Sequence, residues 1–379
     1  MAVRDLYPGY FALVMATGIV STALRDVAQP TASAVLLVIG IACFAVLCCA
    51  LGWRVVRYGR RVVEDLSAAD RAFAFFTIVA ASNVLGARLA ADGHRVAAII
   101  LAGFGLLVWL GLTYIIPVRL VLGPRPQPVL AGVNGTWFIW VVGTQSLAVM
   151  AATLDQPADG RARFTALAAV LLWSVGVVLY LVVATLVLTR LLLLEVRPED
   201  LTPPYWVTMG ATAITVLAAA QILAMPPAPA VTATRAVVAG LGVVLWAFGT
   251  WLIPLLVAFG IWRHVLNRVH LGYLPQLWSI VFPLGMYAVA SMELGMAADL
   301  PIVEAIGRGW TWIAVVAWAA VFLGMCHSLI RSMLPTRTRT VTEPVAEEIT
   351  DEPASGNGRV TTRPEESLAA AGTVRDHTI

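Results

Sequence analysis

Long apolar runs alternate with short polar connections along most of the chain, and the runs differ from one another in a regular way. Ten reach membrane-spanning length, near residues 8–25, 31–53, 71–91, 96–118, 134–154, 164–194, 204–225, 235–261, 276–298 and 308–333, because about 20 apolar residues cross a bilayer core. Every Asn or Gln inside a run falls on an odd-numbered one: Asn83, Asn134, Gln145, Gln221 and Gln276 lie on runs three, five, seven and nine. A carboxamide facing lipid finds no water to bond. The odd helices are therefore expected to face one another or a wet cavity, with the even helices as their lipid-side jacket. The pattern predicts a pore.

Small residues repeat the contrast. Run five carries Gly135, Thr136, Gly143, Thr144, Gln145, Ser146 and Thr153, whereas the longer run six is mostly Leu and Val. Glycine and hydroxyl residues allow close helix approach or line an aqueous path, while aliphatic runs suit lipid. The odd runs open near residues 8, 71, 134, 204 and 276, a recurrence of 63 to 72 residues that reads as five helical hairpins.

Composition places all of this in a membrane. The 379 residues are 60% hydrophobic and 12% charged, with mean hydropathy +0.85, well outside the soluble range. All 25 positive side chains are Arg. Arg54, Arg57, Arg60, Arg61, Arg119, Arg190, Arg197, Arg263 and Arg268 fall on the same side as Arg4, against fewer on the other, so both termini are expected in the cytoplasm of a multi-pass plasma (inner) membrane protein. The basic residues sit in short loops and form no stripe, which argues against a nucleic-acid partner. Cys43, Cys48, Cys49 and Cys326 lack metal-ligand spacing and read as small hydrophobes. A cleaved leader is the rival reading of the first run, but no convincing small-x-small site follows Leu24, so it is taken as a true helix. Residues 1–334 form the expected transmembrane domain. Residues 335–379, rich in Pro, Thr, Glu and Gly, are expected to be a disordered cytoplasmic tail.

On the first run Thr17 and Ser21 share one helix face beside Gly18. They form a strip of hydroxyls suited either to a pore wall or to back-bonded helix packing. With them, Asn83, Gly143, Thr144, Gln145, Gly210, Gln221 and Gly285 make up the expected lining. The stretch Pro8–Ser21 resembles the first helix of the tellurite-resistance/C4-dicarboxylate transporter family, which includes malic-acid permeases, sulfite exporters and the slow-type anion channels of plant guard cells. Pro203–Ala211, opening run seven, and Trp278–Gly285, in run nine, resemble the family at the corresponding places. The resemblance runs from about Tyr7 to about Met333. It departs at Ala16, where many relatives have Gly.

The resemblance implies an all-α fold of five hairpins in a quasi-fivefold ring, odd helices inside and even helices outside, assembled as a homotrimer with one pore per subunit. It also implies that the Phe of the Phe282-Pro283 pair projects into that pore and closes it. The physics is reasonable, because a bulky ring across a narrow channel excludes ions by dewetting and a proline kink supplies a hinge. Ordinary packing beside a kink is the alternative.

Charges inside the runs are few. Arg88 and Glu293 would each cost about 3 kcal/mol at the bilayer centre. Each is expected to find the other, water or the pore mouth, as a salt bridge or as an anion-attracting or proton-coupling group. His327 lies near the end of run ten and reads as interfacial. No nucleophile with a base, metal cluster, cofactor motif or carboxylate pair is visible in the runs, which argues against an enzyme. The function read from the sequence is passage of small anions, such as malate, tellurite or sulfite, through a phenylalanine-gated pore. The alternative is a proton-coupled dicarboxylate or oxyanion efflux carrier.

Overall fold

The computed structural model describes residues 3–123, 128–155, 162–270 and 272–333; the expected tail lies outside them. Ten helices follow one another: α1 (Ala12–Asp26), α2 (Pro30–Ser67), α3 (Phe76–Ala91), α4 (Arg95–Leu122), α5 (Phe138–Thr153), α6 (Ala162–Leu193), α7 (Val207–Ala224), α8 (Pro229–Ile261), α9 (Trp278–Ala297) and α10 (Pro301–Met333). The described regular structure is all helical.

Each odd helix is entered through a 3-10 turn: Pro8–Phe11, Ala72–Phe75, Gly135–Trp137, Pro203–Trp206 and Pro275–Leu277. Three of these turns have proline in their first positions, where its missing N–H costs nothing and its fixed φ favours helix initiation. The turn before α5 instead uses Asn134, whose side chain accepts from the Thr136 backbone N–H at 2.8 Å, a conventional N-cap. At the other end of the bundle the turns after α1, α3 and α9 are tight, and Ala28, Gly93 and Asp299 in them take positive φ.

The helices sort by parity. In the apolar windows of α3, α5, α7 and α9, 78–89% of residues are buried, against 6–39% for the even helices. Val38, Val56, Leu107, Leu122, Leu181 and Ile302 on even helices are well exposed, as lipid-facing side chains must be. α1 packs on α3, α3 on α5, α5 on α7, α7 on α9, and α9 back on α1. Each even helix packs on its own odd partner and also touches the odd helix of the next hairpin.

Two details differ from the sequence reading. Among the described residues nine helices are long and apolar enough to cross a membrane, and α1 is not one of them. It has 15 residues, of which Thr17, Ser21, Thr22, Arg25 and Asp26 dilute its hydropathy, yet it is among the most buried elements. Hydropathy under-reads a helix whose neighbours are protein. Second, α2 runs 38 residues, past the expected end of its apolar run, with non-helical backbone at Tyr58. The added arm is held by Arg54, whose Nη2 donates to Asp65 Oδ2 at 2.6 Å. The apolar pattern tracks the hydrocarbon, whereas the helix ends where its hydrogen bonds end.

Candidate functional site

Because all five odd helices start at one end of the bundle and finish at the other, each end has its own set of side chains. At the finishing end lies a cavity of about 140 Å³ whose lining, among the described residues, comes from α1, α3, α5, α7 and α9. Its polar wall includes Thr22 and Asp26, Asn83 and Arg88, Ser146 and Thr153, Gln221, and Glu293. At the starting end a second cavity of about 280 Å³ is lined by Asp70, Asn134, Thr136, Arg190, Asp200, Tyr205 and Gln276 among others.

Phe282 sits between these levels on α9. Gln276, just before the helix, lines the starting cavity, and Met286, Val289 and Glu293 line the finishing one. Phe282, Met286, Val289 and Glu293 recur at spacings of three and four residues and so share one helix face. Phe282 is 1% exposed and belongs to neither cavity. Its neighbours are turned elsewhere: Pro283 packs on Gly210 of α7, where a Cβ would lie 2.8 Å from Pro283 Cγ, and Gly285 faces Ile19 of α1, whose Cγ2 would lie 2.8 Å from an added Cβ. These glycines allow α9 to approach α7 and α1 closely.

Several residues expected in the lining are placed elsewhere. Thr17 Oγ1 accepts from Trp318 Nε1 of α10 at 3.0 Å. Thr144 Oγ1 accepts from Trp109 Nε1 of α4 at 2.9 Å. Gln145 Nε2 donates to the Trp173 carbonyl of α6 at 3.1 Å. Ser21 Oγ donates to the Ser33 carbonyl of α2 at 2.7 Å. Gly18 and Gly143 meet Val84 and Phe76 of neighbouring α3. A polar side chain on an odd helix can be met by an even helix as readily as by water, as the hydroxyls of Thr17, Thr144 and Ser21 are, whereas Gln145 keeps Oε1 buried without a partner among the described residues. Asn83 lines the cavity while its Nδ2 donates to Ser146 Oγ of α5 at 2.8 Å.

Arg88 does not pair with Glu293. Its Nη1 lies 2.6 Å from Asp92, while Nε and Nη2 donate to Ser21 Oγ at 3.2 Å and Ser33 Oγ at 2.9 Å. A carboxylate one turn on outcompetes one on α9. Asp200, in the loop after α6, is partly buried, which pushes its pKa up. Hydrogen bonds from the Arg197 backbone N–H and the Arg190 side chain, with the charges of both arginines, outweigh this and hold the carboxyl below its ordinary range. At the start of the chain burial raises the Tyr7 phenol to about 12, while its hydrogen bond to Gln276 opposes the rise.

The sequence reading did not single out Thr22, Asp26, Ser146, Thr153, Arg190 or Tyr205 for the site. The first four were legible as i, i+4 and i, i+7 companions on the inner stripes. Arg190 lies on an even helix, which the parity rule discounted.

A membrane protein from Mycobacterium tuberculosis is 58% identical to the chain over 151 residues, 40% of this chain and 77% of the relative. A protein of Methanocaldococcus jannaschii named as a transporter is 23% identical over 151 residues, 40% of this chain and 43% of the relative. The family described as voltage-dependent anion channel, SLAC1, matches residues 5–326. Ten consecutive helices, parity of burial and a match over nearly all of them lead to one statement: the chain belongs to the SLAC1 family of membrane anion channels.

Proposed function

We infer that the chain passes small anions, C4-dicarboxylates such as malate or oxyanions such as tellurite and sulfite, across the plasma membrane through a pore at the axis of a five-hairpin ring. The observation that carries this is the pair of cavities, each with polar side chains in its wall, at opposite ends of the odd helices and separated at the level of Phe282. Phe282 is the closure in this reading: a fully buried ring on the stripe that lines the finishing cavity denies an ion both width and water. Positive-inside bias puts the starting cavity and both termini on the cytoplasmic side. The homotrimer rests on family resemblance.

The test is flux in vesicles reconstituted with the full chain, comparing malate, sulfite and chloride with and without a pH gradient. Phe282→Ala is expected to raise flux at least several-fold in correctly folded protein. Unchanged flux in a folded Phe282→Ala protein would remove the gate from the reading. A proton-coupled carrier is the second reading, favoured by Asp26 and Glu293 sharing the finishing cavity. It requires gradient-accelerated flux that disappears in Glu293→Gln, whereas a channel gives conductive flux that ignores the gradient.

A further inference from the structure

The starting cavity holds hydrogen-bond donors that the fold leaves idle. Arg190, near the end of α6, is 8% exposed. Its Nη2 donates to Asp200 Oδ2 at 3.1 Å, but Nε and Nη1 are buried and meet no acceptor among the described residues. Tyr205, in the 3-10 turn before α7, is 4% exposed, and its hydroxyl is likewise buried without a partner. Both side chains line the same cavity.

A buried guanidinium with spare donors is costly, because a group taken from water without compensation loses its full solvation. The neighbouring polar groups do not fill the gap. Asn134 Oδ1 accepts from the backbone N–H and hydroxyl of Thr136 at 2.8 and 2.7 Å, and Asn134 Nδ2 donates to the Asp70 carbonyl at 3.0 Å. The acidic groups are partly committed. Asp70 lies 3.6 Å from Arg71, Asp200 also accepts from the Arg197 backbone N–H at 3.1 Å, and Glu199 is exposed. The residues of the cavity wall thus hold a fixed cation with two unpartnered donor nitrogens and an unpartnered phenolic O–H, all closed to solvent in this state, a set that suits the oxygens of a carboxylate or oxyanion.

We propose that Arg190 and Tyr205 form an anion-binding subsite in the starting cavity, holding a carboxylate or oxyanion oxygen of the cargo before it reaches the level of Phe282. Its place in transport rests on the proposed function, but binding itself does not. Arg190 is the anchor, already oriented by Asp200. Tyr205 supplies the neutral donor from the turn before α7.

The test pairs two measurements on the full chain: thermal stabilisation of the detergent-purified protein by malate and by sulfite, and the half-saturating malate concentration for flux in vesicles. A hydrogen bond to a charged group corresponds to about tenfold in affinity. Tyr205→Phe is therefore expected to raise both malate concentrations about tenfold while leaving the melting temperature without anion unchanged, because the lost hydroxyl had no partner. Arg190→Lys keeps the charge but loses the fork, and is expected to weaken malate and sulfite more than chloride. Unaltered concentration dependence in both variants overturns the subsite. Flux that persists with that result leaves the transport reading standing. Malate stabilisation that depends on Tyr205, in a protein that carries no anion, keeps the subsite and sinks the transport reading.

Discussion

Gln145 and Gln221 are the same residue type on neighbouring inner helices, and they do different work. Gln145 reaches α6, bonding the Trp173 carbonyl and lying against Gly176, where any Cβ would collide with its carboxamide. Gln221 lines the finishing cavity. An interhelical hydrogen bond inside a membrane protein is worth about 0.6 kcal/mol and at most about 1.7. Gln145→Ala is accordingly expected to lower the melting temperature by a few degrees without altering flux per folded molecule, and Gln221→Ala to alter flux with little effect on melting. The opposite pattern would reassign the two side chains. From sequence they were indistinguishable, because a residue's helix was legible but the direction of its side chain around that helix was not. Asp200 adds a pH term. Its folded pKa lies below the unfolded value of about 3.9, so its stabilisation is fully present above that value and is lost as pH falls through the lowered folded value. Asp200→Asn should flatten acid unfolding in that window, and a midpoint shift confined to higher pH would assign the effect to another group.

Helices are joined across hairpins by a recurring device. Trp109 of α4 donates to Thr144 of α5 at 2.9 Å, Trp173 of α6 to the Thr215 carbonyl of α7 at 3.0 Å, Trp246 of α8 to Ser291 of α9 at 2.9 Å, and Trp318 of α10 to Thr17 of α1 at 3.0 Å. In each case an even helix reaches the odd helix of the next hairpin. At the remaining seam, between α2 and α3, Arg88 performs the task through Ser33. This accounts for much of the parity seen in the sequence. Odd helices carry hydroxyls and carboxamides partly because the next even helix brings an indole or a carbonyl to meet them. The number and order of spans were legible because apolar period and length are local properties. The seams were not, because they depend on which hairpin follows which around the cycle. Replacing one of these tryptophans with Phe removes one bond of the magnitude above. Arg88→Gln removes the Asp92 ion pair and the donations to Ser21 and Ser33 together and is expected to destabilise more than any single Trp→Phe change, as measured by thermal unfolding in detergent. An Arg88→Gln protein as stable as Trp318→Phe would show that the fifth seam is held some other way.

Across the whole molecule both mouths hold carboxylates, Asp70, Glu199 and Asp200 at one and Asp26 and Glu293 at the other, and they differ in how their cations are committed. At the starting end Arg190 has donors to spare. At the finishing end the cations are committed: Arg88 is 2.6 Å from Asp92, and Arg25 is 3.6 Å from the same carboxylate and donates to the Ala91 carbonyl at 2.7 Å. Asp26 and Glu293 line that cavity with no ion pair among the described residues, and Asp26 Oδ2 is buried without a hydrogen-bond partner. An anion there meets two carboxylates, and at an effective dielectric near 20 each unit charge at about 8 Å repels it by about 2 kcal/mol. Removing both charges in Asp26→Asn/Glu293→Gln should therefore raise anion flux through a channel, with the larger gain for the divalent malate than for chloride and little change in affinity at the Arg190 end. In a proton-coupled carrier these carboxyls are instead where the proton rides, and the same double variant should lose gradient-driven accumulation. One variant thus separates the mechanisms by the sign of its effect. A double variant that matches the native protein in both flux and coupling would mean that neither carboxyl faces the permeating ion, and the finishing cavity would lose its place on the pathway.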